Sequence, residues 1–268
     1  MAYEQTITIT DIEANSRDEL GIRNIGMGEL KSALIKGFDD FIAMPTHLVF
    51  LCLIYPIVTL IAARLYGGYE VLPLVFPALA GYTLIGPLVA TGMYELSRRR
   101  ELGLDVSRLH VFEVVRSPSI GSIILLGLLL TAIYFLWLGA AWAIFTDMTA
   151  GTTPKSVGAF VELIFSTSIG QQLILVGCTT GLLFSIAVLT LSVVSFPMLL
   201  DRKVKLRVAI DTSIRVVLTN PLTMGAWGII VTGALLIGSL PFFVGLAVVM
   251  PVLGHATWHL YRAAVEHD

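Results

Sequence analysis

The sequence predicts an all-α membrane protein, because the chain is very apolar, carries few charges and contains several long apolar runs. Its 268 residues are 56% hydrophobic and only 13% charged, and the mean hydropathy is +0.86. A soluble domain is about one quarter charged. A helix of about 20 apolar residues crosses a bilayer. Six runs approach this length, which predicts six transmembrane helices at residues 46–63, 72–94, 119–145, 171–200, 222–238 and 241–261.

The basic residues predict which side of the membrane the connecting loops occupy. Lys and Arg are concentrated in the cytoplasmic loops of membrane proteins. All of the 17 basic residues except Arg64 and Lys155 lie in the N-terminal segment, in the loops after the second and fourth runs, or at the C-terminus. Both termini are therefore predicted to be cytoplasmic, which requires an even number of spans.

Matched residues in distant segments predict an internal threefold repeat. When Pro45 is aligned with Pro221, LKSALIKGFDDFIAMP matches LRVAIDTSIRVVLTNP, and GPLVATGMYELSR matches MPVLGHATWHLYR at the ends of the second and sixth runs. A weaker third copy begins at VSRLHVFEVVRSP. Each unit would contain a cytoplasmic amphipathic helix, a proline and a two-helix hairpin. Because every unit enters the membrane from the cytoplasm, the repeats are parallel and related by an axis along the membrane normal.

The repeat also sets the predicted domain organisation. A polar tail at residues 1–27 precedes a single six-helix transmembrane domain at residues 28–268. The three units occupy about residues 28–100, 104–202 and 203–262. A short additional helix is predicted at SVGAFVELIFSTS, between the third and fourth spans, with Glu162 on its wet face.

The amphipathic helices and the basic loops indicate what the polar surface contacts. Apolar residues recur at helical spacing in the three amphipathic segments, and Lys and Arg occupy the other faces. This pattern is typical of helices that lie in the anionic inner leaflet, so membrane lipids are predicted partners. The basic loops lack the interleaved aromatic residues of a nucleic-acid surface, so no nucleic acid is predicted to bind.

Several motifs resemble those of one protein family. They are GFDDF followed by Pro45, GPLVATGMYELSRR, SFPMLLDRKV, the pair Asn220-Pro221, and LPFFVGLAVVMPVLGHATWHLYR. Together they resemble the bacterial integral membrane proteins of domain-of-unknown-function family 2189, over nearly the whole chain after about residue 25. The resemblance implies a location in the bacterial inner membrane and no particular activity. Some members carry a label that associates them with cytochrome c oxidase, but this chain has too few spans and histidines for the catalytic subunit of that enzyme.

The charged residues and the short motifs give no indication of catalysis. The interiors of the first five runs contain no Asp, Glu, Lys or Arg, which argues against a proton-coupled carrier. Glu95 and Asp201 lie at cytoplasmic helix ends beside Arg98 and Arg202, where interfacial caps or surface ion pairs are predicted. The sequence has no phosphate-binding glycine loop, no nucleophile elbow, no paired carboxylates and no Cys-x-x-Cys. The chain is therefore predicted not to be an enzyme.

Four histidines are the candidates for a cofactor site, because the predicted topology puts all of them on the cytoplasmic side: His47, His110, His255 and His259. His255 and His259 are four residues apart and share one face of a helix. They lack the glutamate of an HExxH zinc site, and two ligands do not complete a zinc site. No bound metal or cofactor is therefore predicted.

The favoured interpretation of the segment HATWHLYR is the end of a membrane helix. Trp258, Tyr261 and Tyr94 would form an aromatic belt at the membrane surface. His259 would lie among the lipid headgroups, and His255 would form a hydrogen bond between helices.

These observations predict a non-catalytic accessory, scaffold or assembly component of a larger membrane complex, with a respiratory complex as one candidate. A small transporter or channel, with a path along the pseudo-threefold axis, is the alternative. Handling of haem or a metal at the cytoplasmic-side histidines is a third interpretation. The sequence leaves open whether the chain forms a homo-oligomer.

Overall fold

The computed structural model describes residues 21–44, 72–240 and 243–266, and over these residues the protein is helical. Helices account for 82% of them and no β-strand occurs among them. A β-bridge pairs Ile22 with Val265. The first predicted span, Pro45, His47 and the polar tail up to residue 20 lie outside the described residues.

The described helices are named here in chain order, and a 3₁₀ helix, Arg108–Arg116, lies between the third and the fourth. They are α1 (Met27–Ala43), α2 (Leu72–Val89), α3 (Thr91–Glu101), α4 (Ile120–Met148), α5 (Val157–Ser166), α6 (Ser168–Ser192), α7 (Ser195–Asp201), α8 (Leu206–Thr219), α9 (Pro221–Ser239) and α10 (Leu246–Ala264). The short helix predicted between the third and fourth spans is α5. Two of the predicted amphipathic segments form α1 and α8, and the third, VSRLHVFEVVRSP, contains the 3₁₀ helix.

Among the described residues, four helical segments are long and apolar enough to cross a membrane, and they coincide with the second to fifth predicted runs. These segments are Leu72–Glu101, Ile120–Met148, Ser168–Asp201 and Pro221–Ser239. The sixth run forms α10, which is not among these four. Its second half contains several polar side chains, including His255, His259 and Arg262, which lower its hydropathy.

The segment Ser168–Asp201 is broken between α6 and α7, and Pro197 explains the break. A proline has no amide hydrogen, so it cannot bond the carbonyl one turn earlier, and its ring crowds that carbonyl. The carbonyl concerned belongs to Val193, directly after the end of α6. A hydrogen bond joins the break to α8, because the backbone nitrogen of Val194 donates to Ser213 Oγ at 3.3 Å. The break therefore fixes α7 to α8.

Helices α3, α7 and α10 meet at one end of the molecule, which we call the charged end because acidic and basic residues cluster there. Each of the three helices contacts the other two, and each is covered by a short helix: the 3₁₀ helix on α3, α8 on α7, and α1 on α10. The contact between α1 and α10 is the most extensive between described helices. Large side chains fill the centre and are buried: Tyr94, Phe196, Trp258 and Tyr261.

Two glycines let α10 approach its neighbours closely. A Cβ atom on Gly37 of α1 would lie 2.5 Å from the backbone nitrogen of Ala256, in α10. A Cβ atom on Gly254 of α10 would lie 2.9 Å from the Cβ atom of Met93, in α3. Neither overlap could be relieved by rotating a flexible side chain. The backbone of α10 is therefore held between α1 and α3, and the register of the three helices is fixed.

Asn220, directly before α9, ties the segment that precedes α1 to the rest of the fold. Its side-chain oxygen accepts a hydrogen bond from the backbone nitrogen of Ile25 at 2.8 Å, and its side-chain nitrogen donates to the carbonyl of Arg23 at 3.1 Å. Thr223 adds a hydrogen bond to the carbonyl of Ile25 at 2.8 Å. Pro221 occupies the first turn of α9, as predicted for this junction.

We expect Gly37→Ala to lower the melting temperature of the detergent-solubilised protein, because the new methyl group would overlap the backbone of α10. Overpacking of this kind costs about 1 to 3 kcal/mol. The control is Gly28→Ala on the same helix, where an added Cβ atom meets nothing within 4 Å. Alanine there should stabilise the helix by up to about 1 kcal/mol. A Gly37→Ala variant as stable as Gly28→Ala would contradict the close approach of α1 to α10.

Candidate functional site

The polar residues of α10 form a buried network with α1 and α3. The carboxylate of Asp40, near the end of α1, accepts hydrogen bonds from Ser97 Oγ at 2.6 Å and from His259 Nε2 at 2.8 Å. Arg100 pairs with the other oxygen of this carboxylate. Ser97 Oγ also lies 2.8 Å from His255 Nδ1. We call these five residues the Asp40 network.

Helical spacing and close helix packing bring the Asp40 network together. His255 and His259 share one face of α10 because they are four residues apart. Asp40 lies one turn beyond Gly37, the point at which α1 touches α10. The approach of the two backbones therefore carries the carboxylate to the histidines, and Ser97 reaches both partners from α3.

Asp40 is an ionised group in the interior, since only 4% of the residue is exposed. Burial raises the pKa of the Asp40 carboxyl, but the hydrogen bonds from its three donors outweigh burial and hold the pKa below its ordinary value. A carboxylate can only accept hydrogen bonds, so Ser97 and His259 both donate to it. The Ser97 oxygen then accepts from His255, whose Nδ1 carries the proton. Nε2 of His255 is buried and has no hydrogen-bond partner among the described residues.

The Asp40 network contains the residue types of a Ser-His-Asp triad in a different order. In a catalytic triad, the histidine lies between the carboxylate and the serine and removes the serine proton. Here Ser97 lies between Asp40 and His255 and donates a hydrogen bond to Asp40. Ser97 is also only 1% exposed. This arrangement ties helices together and does not activate a nucleophile.

A second set of hydrogen bonds ties the end of α10 to α3 and α7. Trp258 Nε1 and Arg262 Nε each donate to the carboxylate of Glu101 at 2.9 Å. Tyr261 donates from its hydroxyl group to Asp201, the last residue of α7, at 2.7 Å. The segment HATWHLYR therefore bonds three other helices through its polar side chains.

The predicted aromatic belt is wrong. Tyr94, Trp258 and Tyr261 are at most 1% exposed, whereas belt residues contact the lipid headgroups. The polar atoms of Trp258 and Tyr261 have carboxylate partners inside the fold, so their rings pack in the core. The hydrogen bond between helices that was predicted for His255 is present, but His259 bonds to a carboxylate of α1 instead of lying among headgroups.

Glu95 forms the predicted ion pair with Arg98, but the carboxylate is buried. Two nitrogen–oxygen distances of 2.8 and 3.0 Å join the side chains, and Glu95 is 4% exposed. Arg99 lies 3.7 Å from the same carboxylate. A buried carboxylate needs such partners, because its desolvation costs several kcal/mol. The pair therefore belongs to the helix contacts and not to the surface.

Two of the four candidate histidines come together. His255 and His259 both belong to the Asp40 network. His110 lies apart in the 3₁₀ helix, where its Nδ1 accepts a hydrogen bond from the backbone nitrogen of Ser107 at 3.0 Å. His47 is outside the described residues. Within the described part of the chain, no group of three or more His, Cys, Asp or Glu side chains is placed to hold a metal ion.

Sequence reasoning missed Asp40 and Ser97. Asp40 can be recognised in retrospect from helical spacing, because it shares the buried face of α1 with Leu30, Ala33 and Gly37. Ser97 carries no comparable signal, since its partners in the network lie 57 and 158 residues away in the chain.

One protein-family model matches the middle of the chain. Residues 75–201 match the family described as predicted integral membrane protein (DUF2189). The match confirms the resemblance to this family over these residues. The match runs from α2 to α7, which is a shorter part of the chain than the part over which the motifs resemble the family. It includes Ser97 but neither Asp40 nor the histidines of α10. No curated protein and no solved structure matches the chain.

We expect Asp40→Asn to destabilise the protein by about 3 kcal/mol at pH 7, because it removes the buried charge to which Ser97, His259 and Arg100 are bonded. The folded-state pKa of Asp40 is lowered, so the stability that its carboxylate contributes is present above the unfolded pKa, about 3.9, and is lost as the pH falls through the folded pKa. The difference in unfolding free energy between wild type and variant should therefore shrink in acid. It can be measured by denaturant titration in mixed micelles between pH 3 and pH 7.

The matched control is Asp39→Asn, because Asp39 is the exposed neighbour of Asp40 in the same helix. Substitutions at exposed sites usually change stability by less than about 0.5 kcal/mol. Equal effects of the two substitutions, or a loss in Asp40→Asn that does not vary with pH, would contradict the assignment of Asp40 as the buried charge.

Proposed function

We propose that this chain is a non-catalytic accessory or scaffold component of the bacterial inner membrane, which binds a larger membrane complex through its apolar helix surfaces. One observation carries the proposal: at the charged end, the polar side chains of α3, α7 and α10 bond to one another across helices. Groups that could act on a substrate are instead used to fix the helices. Helices that are fixed in this way present a constant apolar outer surface, and such a surface suits a protein to which other membrane proteins bind.

The proposal includes six spans, three parallel repeats and both termini in the cytoplasm. The contacts at the charged end support the repeats, because each short helix covers the last helix of another unit. The 3₁₀ helix of the second unit lies on α3 of the first, α8 of the third lies on α7 of the second, and α1 of the first lies on α10 of the third. Head-to-tail contacts that close after three units are expected for parallel repeats around an axis.

The same contacts weigh against a channel along the pseudo-threefold axis. Such a path would have to leave the membrane between α3, α7 and α10, which contact one another. Leu96, Met198 and Leu260, one from each of these helices, are at most 1% exposed. A passage there would require three packed helices to separate.

The outer half of α6 is the surface that we propose for the lateral contact. Leu175, Leu182 and Leu183 are between 59% and 68% exposed. Cys178 is a free cysteine on the same helix and is also exposed. Lipid covers this apolar surface in the free protein, and a partner protein would cover it after assembly. An apolar surface is stable in both states.

We expect native mass spectrometry of the protein, extracted gently from its own membranes, to detect it together with subunits of another membrane complex in a fixed ratio. The fixed ratio follows from a specific lateral contact, whereas chance co-extraction gives variable ratios. A bare monomer or a homo-oligomer would contradict the accessory role and favour transport.

Cross-linking can test the proposed surface in the same membranes. A chain with Cys52→Ser retains only Cys178, and a short bifunctional thiol reagent should join it to one discrete partner. The control is a chain with Cys52→Ser, Cys178→Ser and Ile229→Cys, because Ile229 is 75% exposed on α9, a different helix. Equal products from both chains would contradict the assignment of α6.

A further inference from the structure

We propose that a cleft at the charged end binds the phosphate group of an anionic ligand, with Lys36 and Arg100 as its main contacts. The cleft lies between α1 and the ends of α3 and α10, beside the Asp40 network, and has a volume of about 640 Å³. Pockets that hold small ligands have volumes of roughly 300 to 1,000 Å³. The proposal is independent of the scaffold role, which uses the apolar outer surface.

The carboxylates that line the cleft are already bonded within the protein. Asp40 accepts from its three network donors. Glu101 accepts two hydrogen bonds from α10, and Glu29 accepts one from the backbone nitrogen of Gly26 at 2.8 Å. The charges of Asp40 and Glu101 are therefore offset by Arg100 and Arg262, whereas Glu29, at the exposed edge, keeps part of its accepting capacity.

The donors that line the cleft are, by contrast, partly unused. Lys36 and Ser32, on the polar face of α1, have no hydrogen-bond or ion-pair partner among the described residues. Arg100 contacts its carboxylate partner through Nη1, and 43% of its side chain is exposed. Within the described part of the chain, the side chain of Arg23 makes only a loose ion pair with Glu266, with a nitrogen–oxygen distance of 3.9 Å. The cleft therefore offers an ammonium, two guanidinium groups and a hydroxyl to an acceptor.

A phosphate group suits these donors. Its oxygens accept several hydrogen bonds at once, and guanidinium and ammonium groups are its usual partners in proteins. An exposed apolar stripe on α1, formed by Ile35, Phe38 and Ile42, flanks the polar face that lines the cleft. That stripe suits a helix at the membrane surface, where basic pockets meet anionic headgroups. The phosphate can belong to an anionic phospholipid or to a soluble phosphorylated molecule.

Thermal unfolding of the full chain in phosphatidylcholine nanodiscs tests the proposal. One series adds inorganic phosphate, and a second replaces increasing fractions of the lipid with phosphatidylglycerol. We expect the unfolding midpoint to rise in at least one series. Lys36→Gln should raise the half-saturating concentration about tenfold, because it removes one charge-assisted hydrogen bond. Ser32→Ala provides a second variant, with a smaller expected effect.

The matched control is Lys31→Gln, because Lys31 is an exposed lysine of the same helix that does not line the cleft. A rise with phosphatidylglycerol alone supports a lipid headgroup, and a rise with inorganic phosphate supports a soluble ligand. No rise in either series, or equal losses in Lys31→Gln and Lys36→Gln, overturns the proposal. Because this assay needs no partner protein, its failure is distinguishable from failure of the scaffold role.

Discussion

The buried carboxylate of Asp40 is the constraint on which the charged end depends. Taking an ion out of water costs several kcal/mol, so a buried carboxylate is stable only when its partners are in place. Those partners come from α3 and α10, and therefore α1 can dock in only one register. In that register Gly37 meets the backbone of α10, and α10 in turn reaches α7 through Tyr261. The polar contacts of Asp40 therefore fix how α1, α3 and α10 pack, which apolar contacts alone would not.

This constraint also connects the two proposals about function. Most of the inward-facing polar groups described at the charged end bond to other helices, which supports the proposal of a rigid scaffold. The donors that remain unused, above all Lys36, point to the cleft beside the Asp40 network. A scaffold of this kind can hold a membrane partner on its apolar perimeter while an anion occupies its polar end.

Much of the architecture follows from the sequence, because hydropathy and helical spacing are local properties. The second to fifth runs and the amphipathic segments that form α1 and α8 were predicted on these grounds and are helical. The sixth run was harder to interpret, since the polar atoms of Trp258 and Tyr261 could equally face lipid headgroups or carboxylates of other helices. Only the fold brings Glu101 and Asp201 to them. The network itself could not be predicted, because its members are distant in the chain.

A double-mutant cycle between Asp40→Asn and His259→Gln tests the central claim most directly. The free energy of unfolding would be measured for the wild type, both single variants and the double variant in the same mixed micelles. If the two side chains stabilise the fold through their mutual hydrogen bond, the effects are not additive, and the coupling free energy should be about 1 kcal/mol or more. Effects that add within about 0.3 kcal/mol would contradict the role of Asp40 as the residue that joins α1 to α10.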